Sequence, residues 1–297
     1  MSFTCELKKE LSSLEAENPC CEQAFAYGFL LFGKSFNARS VSCSTDYAEV
    51  MDCFEKRVSE IVGDSYEISK SDSGKYTLRV TTAEARMKIL NRFGHEKNEI
   101  SLRVNYGNFE NDCCYAAFLR GAFLSCGSLA DPYKNYHFEF VVPYLKLSKD
   151  LLKILTDLNL NAKYILRNYS HVIYIKESES IEDIITMMGA VNSSLQLMGI
   201  KLEKDVRNNI NRQMNFESAN MNRSIEAGIA QVEAIELIES RKGLDSLPDN
   251  LRELAIIRKE NPDMSLKQLG ECLSEPLSRS GVNHRLKKIM EIAENCK

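Results

Sequence analysis

The chain has 297 residues, 38 of them lysine or arginine and 42 aspartate or glutamate, for a formal net charge of −4. That balance excludes a histone-like, uniformly basic nucleic-acid coat. An apolar content of 44% beside 27% charged residues excludes a disordered or collagenous chain, and the length suits about two domains.

At the amino terminus, Glu6, Lys8, Lys9 and Glu10 stand where a secretion signal needs an unbroken apolar run, so a cytoplasmic protein is expected. The longest uncharged apolar stretch, residues 23–33, is about half the ~20 residues of a membrane helix, and no membrane association is expected. The ten cysteines include two adjacent pairs, Cys20-Cys21 and Cys113-Cys114, and no Cys-x-x-Cys spaced for zinc or dithiol chemistry. They read as small apolar residues opening buried helices, with no metal site and no cofactor.

Those pairs lie 93 residues apart, and the same shift superimposes Ala24 on Ala117, Phe25 on Phe118, Gly28 on Gly121, Leu31 on Leu124 and Ser35 on Ser128. Seven of sixteen positions match over residues 20–35, which points to an internal duplication. In the first copy a helix is followed by a β-rich stretch at 38–43. A helix carrying Tyr47, Val50, Met51, Phe54, Val58 and Ile61 comes next. Segments 65–70 and 75–81 alternate around the turn Ser71-Asp72-Ser73-Gly74, and a helix at 82–92 closes the unit. The second copy predicts helix 112–126, strand 136–142, helix 147–158, strands 162–166 and 172–176, and helix 181–189. Hairpin-linked strands imply an α+β fold, two antiparallel sheets with helices on one face, related by pseudo-twofold symmetry.

The helix opening the second copy reads Leu119-Arg120-Gly121-Ala122-Phe123-Leu124-Ser125-Cys126-Gly127. Its glycines let two helix backbones approach closely, as a pair on a symmetry axis requires. The nonapeptide resembles the LAGLIDADG motif of homing endonucleases, with a looser copy at 26–34. In that family an acidic residue near the end of each motif helix binds the divalent ions that carry phosphodiester hydrolysis. The matching positions here are Gly33 and Cys126, which lack the hard oxygen ligands Mg²⁺ needs, so the scaffold is read as non-catalytic. Asp46, Asp112 and Asp131 lie nearby in sequence, but Asp131 belongs to a turn before Pro132.

Residues 161–176 contain Lys163, Arg167, Lys176 and His171 and no acid, with Tyr164, Tyr169 and Tyr174 interleaved. Alternation along paired strands exposes one set on a single face, either for phosphate contact or as an ordinary solvated hairpin. From Lys204 the texture changes. Asn208, Asn209, Asn211, Asn215, Asn220 and Asn222 crowd beside Arg207, Arg212 and Arg223. Because asparagine favours caps over helix interiors, the stretch is expected to be a connector with short helical pieces, although its arginines and asparagines also suit DNA. Ile225, Ile229, Val232, Ile235 and Ile238 then mark a helix that ends before Gly243.

The last fifty residues are strongly punctuated. Asp249 caps a helix that stops at Asn261-Pro262, Ser265 caps a short one, and Ser278 caps a third whose Val282, Leu286, Ile289 and Ala293 face inward. This is the pattern of a helix-turn-helix, with a turn lengthened by about two residues at Glu275-Pro276. Outward positions of the third helix are Arg279, Ser280, Asn283, His284 and Lys287, side chains able to reach base edges, while Arg285 and Lys288 suit phosphates. Residues 276–290 carry +4 and residues 161–176 carry +3, so the remainder carries −11. An acidic body with two basic surfaces favours placed contacts over indiscriminate coating of DNA.

The duplicated degenerate motif helices, Arg207-Asn208-Asn209-Ile210-Asn211-Arg212, Asn215-Phe216-Glu217-Ser218-Ala219-Asn220 and the ending Ser278-Arg279-Ser280-Gly281-Val282-Asn283-His284-Arg285-Leu286 occur in an order that resembles the WhiA family over nearly the whole chain. The resemblance implies a LAGLIDADG-like domain without nuclease activity, tethered to a helix-turn-helix. It implies a nucleoid-associated regulator of cell division, chromosome segregation or sporulation in Gram-positive bacteria. Double-stranded DNA is then the partner, with a sigma factor or another regulatory protein as a second. The expected domains are 1–203 (copies about 20–105 and 111–203), a hinge and linker helix at 204–244, and a helix-turn-helix at 245–297. Expected DNA contacts are Ser278, Arg279, Ser280, Asn283, His284, Arg285, Lys287 and Lys288, with secondary contacts at Lys163, Arg167, Lys176, Arg207 and Arg212. A protein-interaction scaffold with secondary DNA binding and an active metal-dependent endonuclease are the alternative readings.

Overall fold

In a computed structural model of the chain, residues 2–16 and 18–296 are described, and the chain divides into two compact units, Met1–Asp205 and Val206–Lys297. The first unit opens with α1 (Phe3–Ser13). Its first copy runs α2 (Pro19–Leu31), β1 (Ser35–Asn37), β2 (Ser40–Thr45), α3 (Ala48–Val62), β3 (Tyr66–Lys70), β4 (Tyr76–Val80) and α4 (Ala83–Arg92). The second runs α5 (Cys113–Cys126), β5 (Gly127–Leu129), β6 (Phe138–Val142), α6 (Leu145–Asp157), β7 (Lys163–Arg167), β8 (Ser170–Ile175) and α7 (Ser178–Met187). The duplication is visible in the strand orders, β1-β2-β4-β3 and β5-β6-β8-β7, with every pairing antiparallel.

Local rules account for the elements. Thr82 caps α4 by accepting from the Ala85 amide, and Gly74 supplies the positive φ that closes the β3–β4 turn. The β7–β8 turn needs two left-handed residues and takes them from Asn168 and Tyr169. Period-two alternation sends Phe138, Phe140 and Val142 of β6 and Ile173 and Ile175 of β8 into the core, leaving Glu139 and Tyr174 on the outer face.

At the centre, α2 and α5 touch backbone to backbone. A Cβ on Gly28 would lie 2.2 Å from the Phe118 carbonyl oxygen, and one on Gly121 would lie 2.2 Å from that of Phe25. The two glycines are each other's equivalents under the repeat. No side chain can rotate away from such a contact, so only glycine fits.

The amino-terminal segment is a helix that its charges did not announce. Leu7 and Leu11, one turn apart, are wholly buried, and the Thr4 hydroxyl bonds both the amide and the carbonyl of Leu129 on β5. Glu10 accepts from the amides of Asn192 and Ser193 at 2.8 and 2.9 Å, capping the next helix from a distance.

That helix, α8 (Val191–Lys242), corrects the expectation of a connector in short pieces, because the asparagine-rich stretch is helical throughout. The penalty for an interior asparagine is only some tenths of a kcal/mol, below the ~0.7 kcal/mol ceiling for ordinary residues. Both ends are nucleated by packing, Leu197 and Ile200 in the first unit and Ile235 and Ile238 in the second. Propagation between anchored ends is cheap, and no proline or glycine interrupts the helix between Gly199 and Gly228.

In the second unit, Ile235 and Ile238 pack with α9 (Asp249–Glu260), α10 (Leu266–Glu271) and α11 (Arg279–Glu294) through Leu251, Leu254, Leu269, Val282, Leu286 and Ile289. Ser265 forms a full capping box with Gln268, and the Ser278 hydroxyl accepts from the Gly281 amide. The longer turn is held from two sides. The Leu277 amide bonds the Gly270 carbonyl at 3.1 Å, and Glu253 of α9 accepts from the amide and hydroxyl of Ser274.

Gly121→Ala inserts a methyl group against immovable backbone. We expect it to destabilise the first unit by more than ~4 kcal/mol, in the range reserved for severe core lesions. Chemical denaturation should show this loss, with Gly199→Ala, whose added Cβ meets nothing within 4 Å, close to wild type.

Candidate nucleic-acid interface

Helix α11 positions the expected DNA contacts by its own burial pattern. Val282, Leu286, Ile289 and Ala293 occupy one stripe against the domain, so Arg279, Ser280, Asn283, His284, Lys287 and Lys288 stand exposed on the remaining surface. Two expected residues have other duties. The Ser278 hydroxyl is spent as the cap of α11, and Arg285 is half-buried, with its Nη1 donating to the Asn250 carbonyl at 3.1 Å. Arg285 therefore also docks α11 onto α9.

The leading turn of α11 faces a concavity of about 800 Å³. Arg279 and Asn283 line it together with Asn220, Arg223 and Gln231 of α8, Arg258 of α9, and Ser265 and Lys267 at the start of α10. Among the described residues lining it, four are cations and none is acidic. Arg258 is its floor: 2% exposed, it donates Nε to Gln231 at 3.0 Å and Nη1 to the Met264 carbonyl at 2.6 Å. Burial pulls its pKa below the ordinary arginine value. Gly228 makes room for this guanidinium, since a Cβ there would lie 2.8 Å from Nη2. Arg223, Arg258 and Lys267 were not among the expected contacts. For Arg223 a signal existed, because it follows Arg212 by eleven residues and so repeats its face of a helix, but only once the stretch is known to be helical. Arg207 falls on a different face from Arg212 by the same geometry, and both are exposed.

In the first unit the register of the second sheet places Lys163 opposite Tyr174 and Tyr174 opposite Glu139, one row across the outer face. Lys163 is free to solvent, and Lys176 lies 5.3 Å from the Tyr174 ring centre. Arg167 is already engaged by Glu139 at 2.9 Å, and Glu139 also meets His137. These partners hold the Glu139 carboxyl below its usual range against the opposing effect of its burial. Tyr164 points to the other side of the sheet and bonds His171 at 2.7 Å, while Tyr169 sits exposed in the turn. The first sheet's outer face is a row of hydroxyls instead, with Ser35 bonded to Ser40 and Ser42 and Ser44 bonded to Thr77.

The two positions that match the catalytic acids are closed in different ways. At Gly33 a Cβ would lie 2.7 Å from the Ser42 carbonyl oxygen, so no side chain fits. Cys126 is partly covered, and packing pushes its thiol up to about 12. Beside it is buried Lys8, whose Nζ donates to the Leu124 carbonyl at 3.1 Å and lies 5.6 Å from the Phe123 ring centre. A lysine ammonium at this place repels a divalent cation where a carboxylate would attract one.

Residues 210–293 match the family model of the WhiA C-terminal HTH domain, and residues 115–207 match that of the WhiA LAGLIDADG-like domain. The chain is similar to the probable cell division protein WhiA of Ruminiclostridium cellulolyticum, 38% identical with 99% of this chain and 97% of the relative covered. The protein of that name from Clostridium tetani is 39% identical, covering 99% and 98%. Among solved structures, full-length WhiA from Thermatoga maritima aligns over 99% of both chains with a TM-score of 0.60 and 26% identity. The architecture is an α+β LAGLIDADG-like domain with antiparallel sheets followed by a helical helix-turn-helix domain. Among the described residues, no helix is long and apolar enough to cross a membrane.

Lys8 makes the closure at Cys126 measurable. Burial lowers its pKa from 10.5 to about 8. Between those values the unfolded chain holds more protons than the folded one, so stability falls as pH drops through the window and the full deficit, on the order of 3 kcal/mol, is present below it. The stability difference between Lys8→Met and wild type should therefore favour the variant most near neutrality and shrink as pH rises towards 10.5. A difference that stays flat across that range in denaturant titrations would rule out a buried ammonium.

Proposed function

The chain belongs to the WhiA family, and from that membership we propose that it is a non-catalytic, DNA-binding regulatory protein acting in cell division, chromosome segregation or sporulation. The observation that carries the proposal is the acid-free concavity where Arg279 and Asn283 of α11 stand beside Arg223 and Lys267. Such an arrangement separates two kinds of contact. Side chains on the exposed face of α11 reach base edges, arginine towards guanine and asparagine towards adenine, while cations on the flanking helices hold the phosphate backbone and set the register. The duplicated domain then adds a second, weaker contact, with Lys163 and the hydroxyl-rich sheet face as its available groups. Linking two weak modules raises affinity through effective concentration.

The absence of nuclease activity rests on Gly33, Cys126 and Lys8, since hydrolysis by metal-activated water needs oxygen ligands that this place does not offer. Nucleoid association follows from DNA binding, and a sigma factor or another regulatory protein would be a further partner. The scaffold reading has one observation in its favour. Val206, Ile210, Met214, Met221, Ile225 and Ile229 are each about half exposed or more on α8 within the second unit.

Two measurements test the proposal. At a preferred site, Arg279→Ala or Asn283→Ala should cost about 1–3 kcal/mol and relax sequence preference. Lys288→Ala and Arg223→Ala should weaken all duplexes alike and flatten the salt dependence of log affinity by about one unit each. If all four variants behaved alike on specific and random duplexes, α11 would not be the reading helix. Supercoiled plasmid held with the protein and Mg²⁺ or Mn²⁺ should remain uncut.

A further inference from the structure

The four cysteines of the two adjacent pairs meet. Cys20 and Cys21 open α2, Cys113 and Cys114 open α5, and all four Sγ atoms lie within 4.8 Å of one another. This departs from the expectation of separate apolar residues. Cys21 and Cys114 are buried, but Cys20 is only half-buried and Cys113 is exposed. We propose that these four thiols bind one thiophilic metal ion, Zn²⁺ foremost, with one vicinal pair supplied by each copy of the duplication.

Distance decides the kind of ion. A Zn–S bond of about 2.3 Å makes the edge of a tetrahedral tetrathiolate about 3.8 Å. No two of these sulfurs lie more than about 1 Å beyond that edge, so all four are within reach of a single ion. An iron–sulfur cluster is larger, since its thiolates bind different irons across a cage, and the cysteines would have to move apart. All ten cysteines are free thiols, so no disulfide competes for these sulfurs. Carboxylate and imidazole are missing from the set among the described residues, which selects against Mg²⁺ and Ca²⁺.

The surroundings suit a tetrathiolate, whose complex with a divalent ion carries a net charge of −2. Each pair sits in the first turn of a helix, whose unpaired amides and positive dipole end offset part of the negative charge of a metal-bound set. The Asn111 side-chain amide donates to the Cys20 sulfur at 3.7 Å, the kind of outer contact that orients a metal ligand. Arg120, only 7% exposed, lines the same cleft as Cys21 and Cys113, and its Nε has no hydrogen-bond partner. That cleft, about 370 Å³ and reaching solvent, is an entry path. With four protein ligands the site is closed to substrate, so the ion's role is structural, pinning the entrances of the two motif helices across the pseudo-twofold axis. The inference is independent of DNA binding.

The test uses the full chain purified anaerobically with reductant and supplied with Zn²⁺, or with Co²⁺ as a spectroscopic substitute. We expect one ion per chain by elemental analysis and native mass spectrometry. The Co²⁺ form should show the visible bands of a tetrahedral site and strong thiolate-to-cobalt charge transfer. Cys20→Ser with Cys113→Ser, changing the two more accessible thiols, should abolish both signals and any rise in melting temperature on adding Zn²⁺, whereas Cys272→Ser should keep them. If the double variant failed to fold, the wild-type cobalt spectrum and a fall in melting temperature on chelation would still decide. Sub-stoichiometric metal, a cobalt spectrum without thiolate charge transfer, or a double variant that retains its ion would each overturn the proposal. So would recovery of the four cysteines as disulfides in the reduced preparation.

Discussion

The first unit is organised by two hydrogens. Gly28 and Gly121 each present a bare α-carbon to a carbonyl oxygen of the opposite helix, at a distance where no other residue has room. This contact sets how near α2 and α5 come, and the sheets of both copies are suspended from those helices. Its reciprocity has a simple origin. A duplicated chain that pairs with itself must repeat its closest approach twice, so a small residue at that position is required in both copies or in neither. The same closeness brings the opening turns together, which is why the cysteine pairs converge. At the far ends, Gly33 is crowded by Ser42 of its own copy and Cys126 lies beside Lys8.

Charge in this protein is arranged by region. The net −4 hides an acid-free concavity in the second unit and a mixed surface on the second sheet, where Glu139 holds Arg167. Placing a buried arginine under a cationic surface is costly, because desolvation opposes its charge, with Asp263 working the other way. The cost is offset by the bonds of Arg258 to Gln231 and Met264, and the arginine in turn ties α8, α9 and the turn before α10 into one frame. The lining of the concavity is thereby held by a residue of its own floor.

Periodic features were legible in the sequence. The repeat, the β3–β4 hairpin with its Gly74 turn, and the caps at Ser265 and Ser278 all follow from local chemistry that survives folding unchanged, whereas Asp249 is the first residue of α9 and Pro248 holds the cap position. Three features were hidden for physical reasons. Helix α1 owes its existence to tertiary partners, since Lys9 pairs with Glu49 of α3, Lys8 bonds Leu124 of α5 and Thr4 bonds Leu129 of β5. The asparagines of α8 oppose a helix individually and lose to cooperativity between anchored ends. The cysteine cluster carries no local spacing at all, because its ligand pattern is written in the 93-residue shift of the duplication. In the site, the face of α11 was readable from its apolar stripe, whereas the docking of Arg285 and the contributions of Arg223 and Lys267 required the packing of four helices.

The capping of α8 by Glu10 has a consequence for biosynthesis. Glu10 and the amides that donate to it are separated by 182 and 183 residues, and the same helix α1 closes over β5 through Thr4. Helix α1 rests on α3 of the first copy, where Lys9 pairs with Glu49, while its bonds to β5 and to the start of α8 need the second copy to be in place. The loop it closes is among the longest the unit contains, and closure of long loops is slow because the ordering entropy precedes the contacts that repay it. Completion of the first unit is thus tied to the arrival of the first turn of α8, so the helix that leads into the helix-turn-helix unit also signals that the preceding domain is whole.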